Sequence, residues 1–234
     1  MDAFTQNWRE ILTAFGFTIE MAVVAGVISL VVGFGLAGLR VSPIALGRAF
    51  AAAYVRVVRN TPLLLIMSLF AFGLPELEIR PSLDLNTWFG VADGHQLLRF
   101  NVFFVFATLA LGLYTASFVS EAVRSGINSI AVGQAEAARS VGMTFGQTLG
   151  LVILPQAFRA VIPPLASTMI AMTKNTSVAV GVGVTEAAFE MGKLTNDYSA
   201  DVFAIFVGFA IGYMILVALI SATAGFLEHR TAVA

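Results

Sequence analysis

Residues 202–227, VFAIFVGFAIGYMILVALISATAGFL, run for 26 positions without a charge. A helix needs about 20 apolar residues to cross the hydrocarbon of a bilayer, so this stretch alone commits the chain to a membrane. Residues 21–39, MAVVAGVISLVVGFGLAGL, meet the same length with Ser29 as the polar exception. Extending that span back towards Phe15 places Glu20 in or near its end. Further spans are expected at about 50–74, 101–120 and 151–173. The first of these carries Arg56 and Arg59, whose stems reach the interface, and the last carries Pro155, Arg159, Pro163 and Pro164. About five transmembrane helices result, in an all-α integral membrane protein. Composition agrees: 58% of the 234 residues are hydrophobic and 12% charged, too little polar surface for a soluble domain of this length.

Several chemistries are excluded at once. Cysteine is absent, which removes disulfides, thiolate metal sites and cysteine nucleophiles. His95 and His229 lie far apart without ligand spacing, so no metal site is expected. A net charge of −1 leaves no basic footprint for nucleic acid. Asp2, Arg9 and Glu10 precede an apolar run too long for a cleaved leader, so no signal peptide is expected.

Loop charge sets the expected orientation, because cytoplasmic loops collect Lys and Arg. The first connection holds Arg40 and Arg48, with Arg56 and Arg59 just beyond, and no acid. Residues 75–100 hold Glu76, Glu78, Asp84 and Asp93 against Arg80 and Arg99, and 174–201 hold two lysines against four acids. The first connection is therefore expected inside and the other two outside, with the N-terminus outside and the C-terminus cytoplasmic.

Two segments are too polar or too broken for plain spans. KNTSVAVGVGVTEAAFEMG, from Lys174, is a short, Gly-interrupted run beside a polar cluster. Irregular backbone at membrane depth needs cover from protein or a water-filled cavity, so such a run points to a transport path. Packing as an outer interfacial loop is the other reading. The polar candidates are Arg59, Asn60, Thr61, Lys174, Asn175, Thr176, Ser177 and Glu186. Ionisable groups in membrane segments are functional candidates by default. Interface anchoring by Arg59 and helix capping by the TPLL and KNTS runs are the competing roles. Glu121 and Arg124, three residues apart, are expected to form a structural pair or a subunit contact.

The second segment lies at about 128–150, on the cytoplasmic side by this count. A helix is expected over 129–142, capped by Ser129 or Asn128 and ended by a left-handed Gly142. Glu136 and Arg139 stand close enough to pair, and Thr144 caps a second short helix. Two short helices meeting at a glycine make a knob able to dock into a cleft on another protein. A plain helical hairpin without a partner remains the alternative.

The spacing Glu136-Ala137-Ala138, three residues, Gly142, nine residues, then Leu154-Pro155 resembles the EAA signature of membrane subunits of bacterial ABC importers. Val152 stands where that family usually has isoleucine. RNTPLL at 59–64, LYTASFVSEAVRSGI at 113–127 and KNTS at 174–177 resemble its polar amino-acid branch. Many relatives carry Gly at Asn60 and Asp at Asn175. The look of RVSP at 40–43, VRNTPL and SEAVRSGINS is closest to permeases of actinobacterial glutamate uptake. The resemblance implies a single transmembrane permease domain over 1–234 with the type I ABC importer fold, in a bacterial cell membrane. It implies that Glu136 to Gly142 form the coupling helix docking into a cytosolic ATP-binding subunit, with Pro155 setting how the insert joins the next span. It further implies two such subunits using ATP and Mg, a second permease, sister or identical, and an extracellular amino-acid-binding protein.

No cofactor is expected in this chain. Lys174 precedes Asn175 and Lys193 precedes Leu194, so neither lysine completes the Gly-Lys-Ser/Thr of a phosphate-cradling loop. The chain is thus expected to be a transport subunit and not an enzyme. A self-sufficient secondary transporter or channel, and a non-transporting scaffold, are the alternatives; the first leaves the EAA insert without a purpose.

Overall fold

The computed structural model describes residues 2–79 and 102–232, and every regular element among them is a helix. Residues 80–101, with Arg80, Asp84, Asp93, His95 and Arg99, lie outside the described residues, as does the expected start of the third span at Asn101. Helix α1 is Asp2–Val41, much longer than the apolar core of 21–39. It stops where Pro43 restricts Ser42 and cannot donate an N–H.

The expected single span at 50–74 is instead two helices, α2 (Ala45–Arg59) and α3 (Leu63–Ser68). The cause is local: Pro62 pushes Thr61 out of helical geometry, and Asn60 closes α2 at φ −92°, ψ 0°. After α3 the chain winds as a π-helix over Leu69–Gly73 and one further turn at Leu74–Glu76. Helix α4 is Val102–Asn128, α5 Val132–Ser140, α6 Leu154–Asn175, α7 Ala187–Asp197 and α8 Val202–Ala232. Among the described residues, four stretches are long and apolar enough to cross a membrane: Ala3–Val41, Val102–Asn128, Phe145–Val182 and Ser199–Phe226. The broken pair around Pro62 makes a fifth if it counts as one span.

Contacts divide the chain into two compact units, through which the long helices pass. The first comprises Met1–Ala25, Thr61–Gly112 and Asn175–Gly212. Its core includes Met21, Met67, Leu111, Leu194 and Ile205, all buried. Phe15 stacks on Phe209 at 5.6 Å, and its ring lies where a Cβ on Gly212 would be, 2.3 Å away. The Phe4 ring fills the same space over Gly208. At Asn7 the backbone of α1 leaves helical geometry, and the Asn7 amide donates to Ala3 O and Tyr198 Oη. Lys193 on α7 donates to Glu10 and Glu190, and those bonds, Glu10 first, raise its pKa.

The second unit comprises Gly26–Asn60, Leu113–Lys174 and Tyr213–Ala234. Leu36, Ala51 and Ala116 form one buried cluster, and Ala37, Val119, Val123 and Val161 another. Small residues let backbones approach without a driving force from water. A Cβ on Gly33 would fall 2.5 Å from Val119 Cγ1 and 2.9 Å from Ala116 O. On Gly126 it would fall 2.2 Å from Val161 Cγ2, so α4 and α6 touch there. Gly33, Gly208 and Gly212 therefore do what glycines in spans are expected to do, whereas Gly35 faces open space.

Candidate functional site: the polar insert and the broken segments

The insert lies wholly in the second unit. Helix α4 runs on to Asn128, so Ser129 ends that helix and does not start the next: its hydroxyl donates to Gly126 O. Helix α5 begins only at Val132, with Ala131 as an N-cap that supplies no side-chain bond. The expected start at 129 is thus three residues too early. Gly142 ends α5 at φ +85°. Its N–H donates to Arg139 O at 3.0 Å and the Met143 N–H to Ala138 O at 3.2 Å, the bond pair of a Schellman motif. Thr144 then opens the next turn through a capping box with Gln147, each accepting the other's backbone N–H.

Only Ala138 of α5 is buried, while Glu136, Ala137, Arg139 and Gly142 are exposed. No Glu136–Arg139 ion pair forms; Arg139 Nε donates to Ala135 O and leaves the Glu136 carboxylate facing outward. Val132, Val141 and Phe145 stand 69%, 77% and 60% exposed around it. Val141 is the C-cap of α5, where the chain leaves the helix for the glycine turn. Beneath the insert lies a cavity of about 480 Å³ whose walls include Val41, Ile127, Arg139, Phe145 and Thr148. The buried Thr148 hydroxyl finds no partner there among the described residues.

Pro155 follows a six-residue π-helix, Thr148–Ile153. A proline cannot donate to the carbonyl four residues back, and its ring crowds that carbonyl. A five-residue repeat hands the carbonyl to the next N–H along. The same arrangement precedes Pro75, where the π-helix Leu69–Gly73 ends at Leu74-Pro75. Each of these π segments is thus followed by a Leu-Pro pair.

The polar candidates divide between the units. Arg59, Asn60 and Lys174 belong to the second; Thr61, Asn175, Thr176, Ser177 and Glu186 belong to the first. Arg59 sits 5.0 Å over the Phe118 ring and 3.9 Å from Glu121. Glu121 is also paired with Arg40 and Arg124, so the expected Glu121–Arg124 pair is real and larger than foreseen. Asn60 and Lys174 are exposed, and Thr61 is half-buried.

The KNTS run closes α6 and, from Asn175 on in the first unit, feeds a 3₁₀ helix, Thr176–Val182, seven residues long where such runs rarely exceed four. Thr176 is fully buried, and Asn175 and Ser177 half-buried. Gly183, at φ +82°, ends it with the same pair of bonds as at Gly142: Gly183 N–H to Val180 O and Val184 N–H to Ala179 O. Glu186 is fully buried and caps α7, accepting from the N–H groups of Ala188 and Phe189. Thr18 Oγ1 donates to Glu186 Oε2 at 3.4 Å and accepts the Ala187 N–H at 3.1 Å. This capping role was missed; the acid immediately before an apolar-periodic stretch was the signal for it.

The chain matches the family of binding-protein-dependent transport system inner membrane components over residues 29–233. It belongs to that family. This inner membrane component is 40% identical over 223 residues to the glutamate transport system permease protein GluC of Corynebacterium efficiens, covering 95% of this chain and 94% of the relative. It is 41% identical to GluC of Corynebacterium glutamicum at the same coverage. With the glutamate/aspartate import permease protein GltJ of Escherichia coli K12 it shares 33% over 220 residues, 94% of this chain and 86% of that one. Among solved structures, an amino acid ABC transporter crystallised with histidines superposes with a TM-score of 0.80 at 23% identity, covering 97% and 96% of the two chains. The inward-facing MetNI methionine ABC transporter gives 0.68 at 19%, covering 95% and 96%. The fold is therefore that of importer membrane subunits, and this inner membrane component is a transport part and not an enzyme.

Proposed function

We propose that the chain is the membrane subunit of an ATP-driven importer for a polar amino acid, with glutamate the first cargo to test. The names carried by its relatives motivate the cargo. The observation that carries the mechanism is the insert: a short helix, almost unburied, turned back by a left-handed glycine and presenting Glu136 among exposed apolar groups. A surface of that kind marks a protein partner. On this reading Glu136, Ala137 and Gly142 dock into a cytosolic ATPase that uses ATP and Mg, the buried Ala138 seats the docking helix on its own unit, and Pro155 with its π segment transmits the movement to α6. One insert per chain and two ATPase subunits call for a second permease, sister or identical. An extracellular binding protein delivers the cargo.

The broken backbone at Asn60–Pro62 and Thr176–Val182 is proposed to border the path, with Arg59, Asn60, Thr61, Lys174, Asn175, Thr176 and Ser177 as its polar groups. Glu186, with its carboxylate occupied by backbone N–H groups, is proposed to hold that segment in place. Charge supports an outside N-terminus. The second unit carries nine Lys and Arg against three acids, and the first carries four against eleven.

The test is reconstitution with the ATPase, binding protein and partner permease. ATP-dependent glutamate uptake is expected, and Glu136→Lys or Gly142→Leu is expected to leave insertion intact while uncoupling hydrolysis from uptake. Uptake that persists without the ATPase overturns the reading. Because the chain has no cysteine, single-cysteine labelling reads orientation cleanly. Gly133→Cys, at an open position, is expected to resist an impermeant maleimide in spheroplasts, and Ser199→Cys to react.

A further inference from the structure

The cavity beneath the insert, about 480 Å³, has the size of a small-molecule site. Four pieces of the second unit border it: the end of α1 at Val41, the end of α4 at Ile127, the start of α5 at Val132, and the π segment at Leu149 and Ile153. These walls are apolar. Thr148 stands among them only 6% exposed, and its hydroxyl has no partner among the described residues. A buried hydroxyl left without a partner carries a desolvation penalty, which a ligand group bonded to it relieves.

The other polar features around the cavity are positive or donating. Ala131 and Val132, at the N-terminus of the nine-residue α5, line it, and no side chain caps that end. The first N–H groups of a helix carry the positive end of its dipole. Arg139 lines the cavity from the far end of α5, and its Nε bond to Ala135 O lays the side chain back towards that N-terminus. Asn128 adds an amide, and no acid is among the described lining residues. One guanidinium and about half a charge at the helix end match the single negative charge of a carboxylate, whereas a phosphate monoester brings about two.

We propose that this cavity binds an aliphatic carboxylate, its oxygens taken by Thr148, Arg139 and the start of α5 and its chain laid along Val41, Ile127, Leu149 and Ile153. The apolar walls reject glutamate, whose ammonium and second carboxylate would be buried without partners. The ligand thus differs from the cargo proposed above.

Because the chain has no cysteine, a thiol can be placed at the site alone. Ala135→Cys and the more exposed Val132→Cys put it on the cavity wall, and Gly133→Cys puts it at an open position outside. Each full chain is set in nanodiscs and its maleimide labelling is timed against octanoate. Octanoate is expected to slow labelling at 132 and 135 saturably and to leave 133 unchanged. From butanoate to octanoate, each added CH₂ is expected to lower the half-protecting concentration about fourfold. Thr148→Val is expected to raise it about tenfold while Tm holds or rises, because the hydroxyl removed has no partner in the free chain. Loss of fold would lower Tm instead. Arg139→Gln is expected to weaken protection by a similar factor. Protection also by oleate blended into the nanodisc lipid assigns the ligand to the bilayer, and protection by octanoate alone assigns it to the cytosol; both support the site. Equal protection by octanol, octyltrimethylammonium or millimolar glutamate, slowing at 133 as well, or unchanged protection in Thr148→Val or Arg139→Gln overturns the proposal. Neither ATPase nor transport enters the measurement, so that result leaves the proposed function standing.

Discussion

At the scale of single residues, the most constrained group is Glu186. A buried carboxylate is tolerable when donors surround it, and this one takes two backbone N–H groups and the Thr18 hydroxyl. Glu186→Ala removes an N-cap and leaves those donors buried without an acceptor, at a cost of about 2–4 kcal/mol. Thr18→Val removes one donor and also strands the Ala187 N–H, at about 1–2 kcal/mol. Because the two share one network, the double variant is expected to lose less than the sum, as thermal unfolding of the detergent-solubilised protein would report. Additive losses would mean that Thr18 and Glu186 are energetically independent. Asn60 shows how a departure from the family pattern becomes legible only in the backbone. Its φ of −92° is open to any residue, so the glycine many relatives carry is not required there. Gly142, at φ +85°, has no such freedom, although space for a Cβ is open.

At the scale of elements, the signals that survive from sequence to structure are those that act on one backbone unit. The prolines at 43 and 62 stop helices where they stand, the glycines at 142 and 183 turn them, and Thr144 caps the turn it precedes. What depended on a neighbour was not legible. The start of α5 moved because α4 runs on into Ser129's carbonyl partners, and Arg139 chose a carbonyl over Glu136. The span expected at 50–74 is broken in two, because hydropathy counts residues without asking whether Pro62 lets them share one axis. Gly126 gave no sign of its role, since only α6 coming within reach makes a side chain impossible there. That contact predicts a compensating pair. Gly126→Ala pushes a methyl into Val161 Cγ2, 2.2 Å from the new atom, and overpacking of this kind costs about 1–3 kcal/mol. Val161→Ala removes the clash, so the double variant is expected to regain most of the Tm lost by Gly126→Ala. The π segments yield another prediction. Pro155→Ala restores an N–H and removes the reason for the wide turn at Thr148–Ile153. Reversion to an α repeat would swing the insert by about one residue, roughly 100° around the helix. Insertion and folding are expected to persist while ATPase activity loses its stimulation by cargo-loaded binding protein. Unchanged stimulation would show that the π segment does not set the pose of the insert.

At the scale of the whole molecule, charge and fold tell the same story by different routes. The division into two units follows contacts alone, yet it sorts the ionisable residues by sign: a formal surplus of six positive charges in one unit and seven negative in the other. The loop-by-loop count anticipated this from four arginines near the first connection. It did not anticipate that Arg40, Arg59 and Arg124 meet at Glu121, because residues 40, 59 and 121 are far apart in the chain. Arginine is thus used in two ways in the same unit. Arg40 and Arg124 are tied into a cluster, whereas Arg56 is exposed and the exposed Arg48 guanidinium donates to the Ser42 carbonyl just before α2. These two can be changed without opening a core, and their charges count towards orientation because they lie close to the end of α1. Arg48→Glu with Arg56→Glu replaces two positive charges by two negative ones on that side. A fraction of chains is then expected to insert inverted, so that Gly133→Cys becomes reactive to the impermeant reagent and Ser199→Cys loses reactivity in proportion. Placing the two glutamates instead at Asn196 and Ala200, both exposed in the acidic unit, should leave labelling as in the native chain, since added acid there reinforces the existing asymmetry. Unaltered labelling in the Arg48→Glu, Arg56→Glu chain would assign orientation to the hydrophobic spans themselves and reduce the charge sorting to a consequence of it.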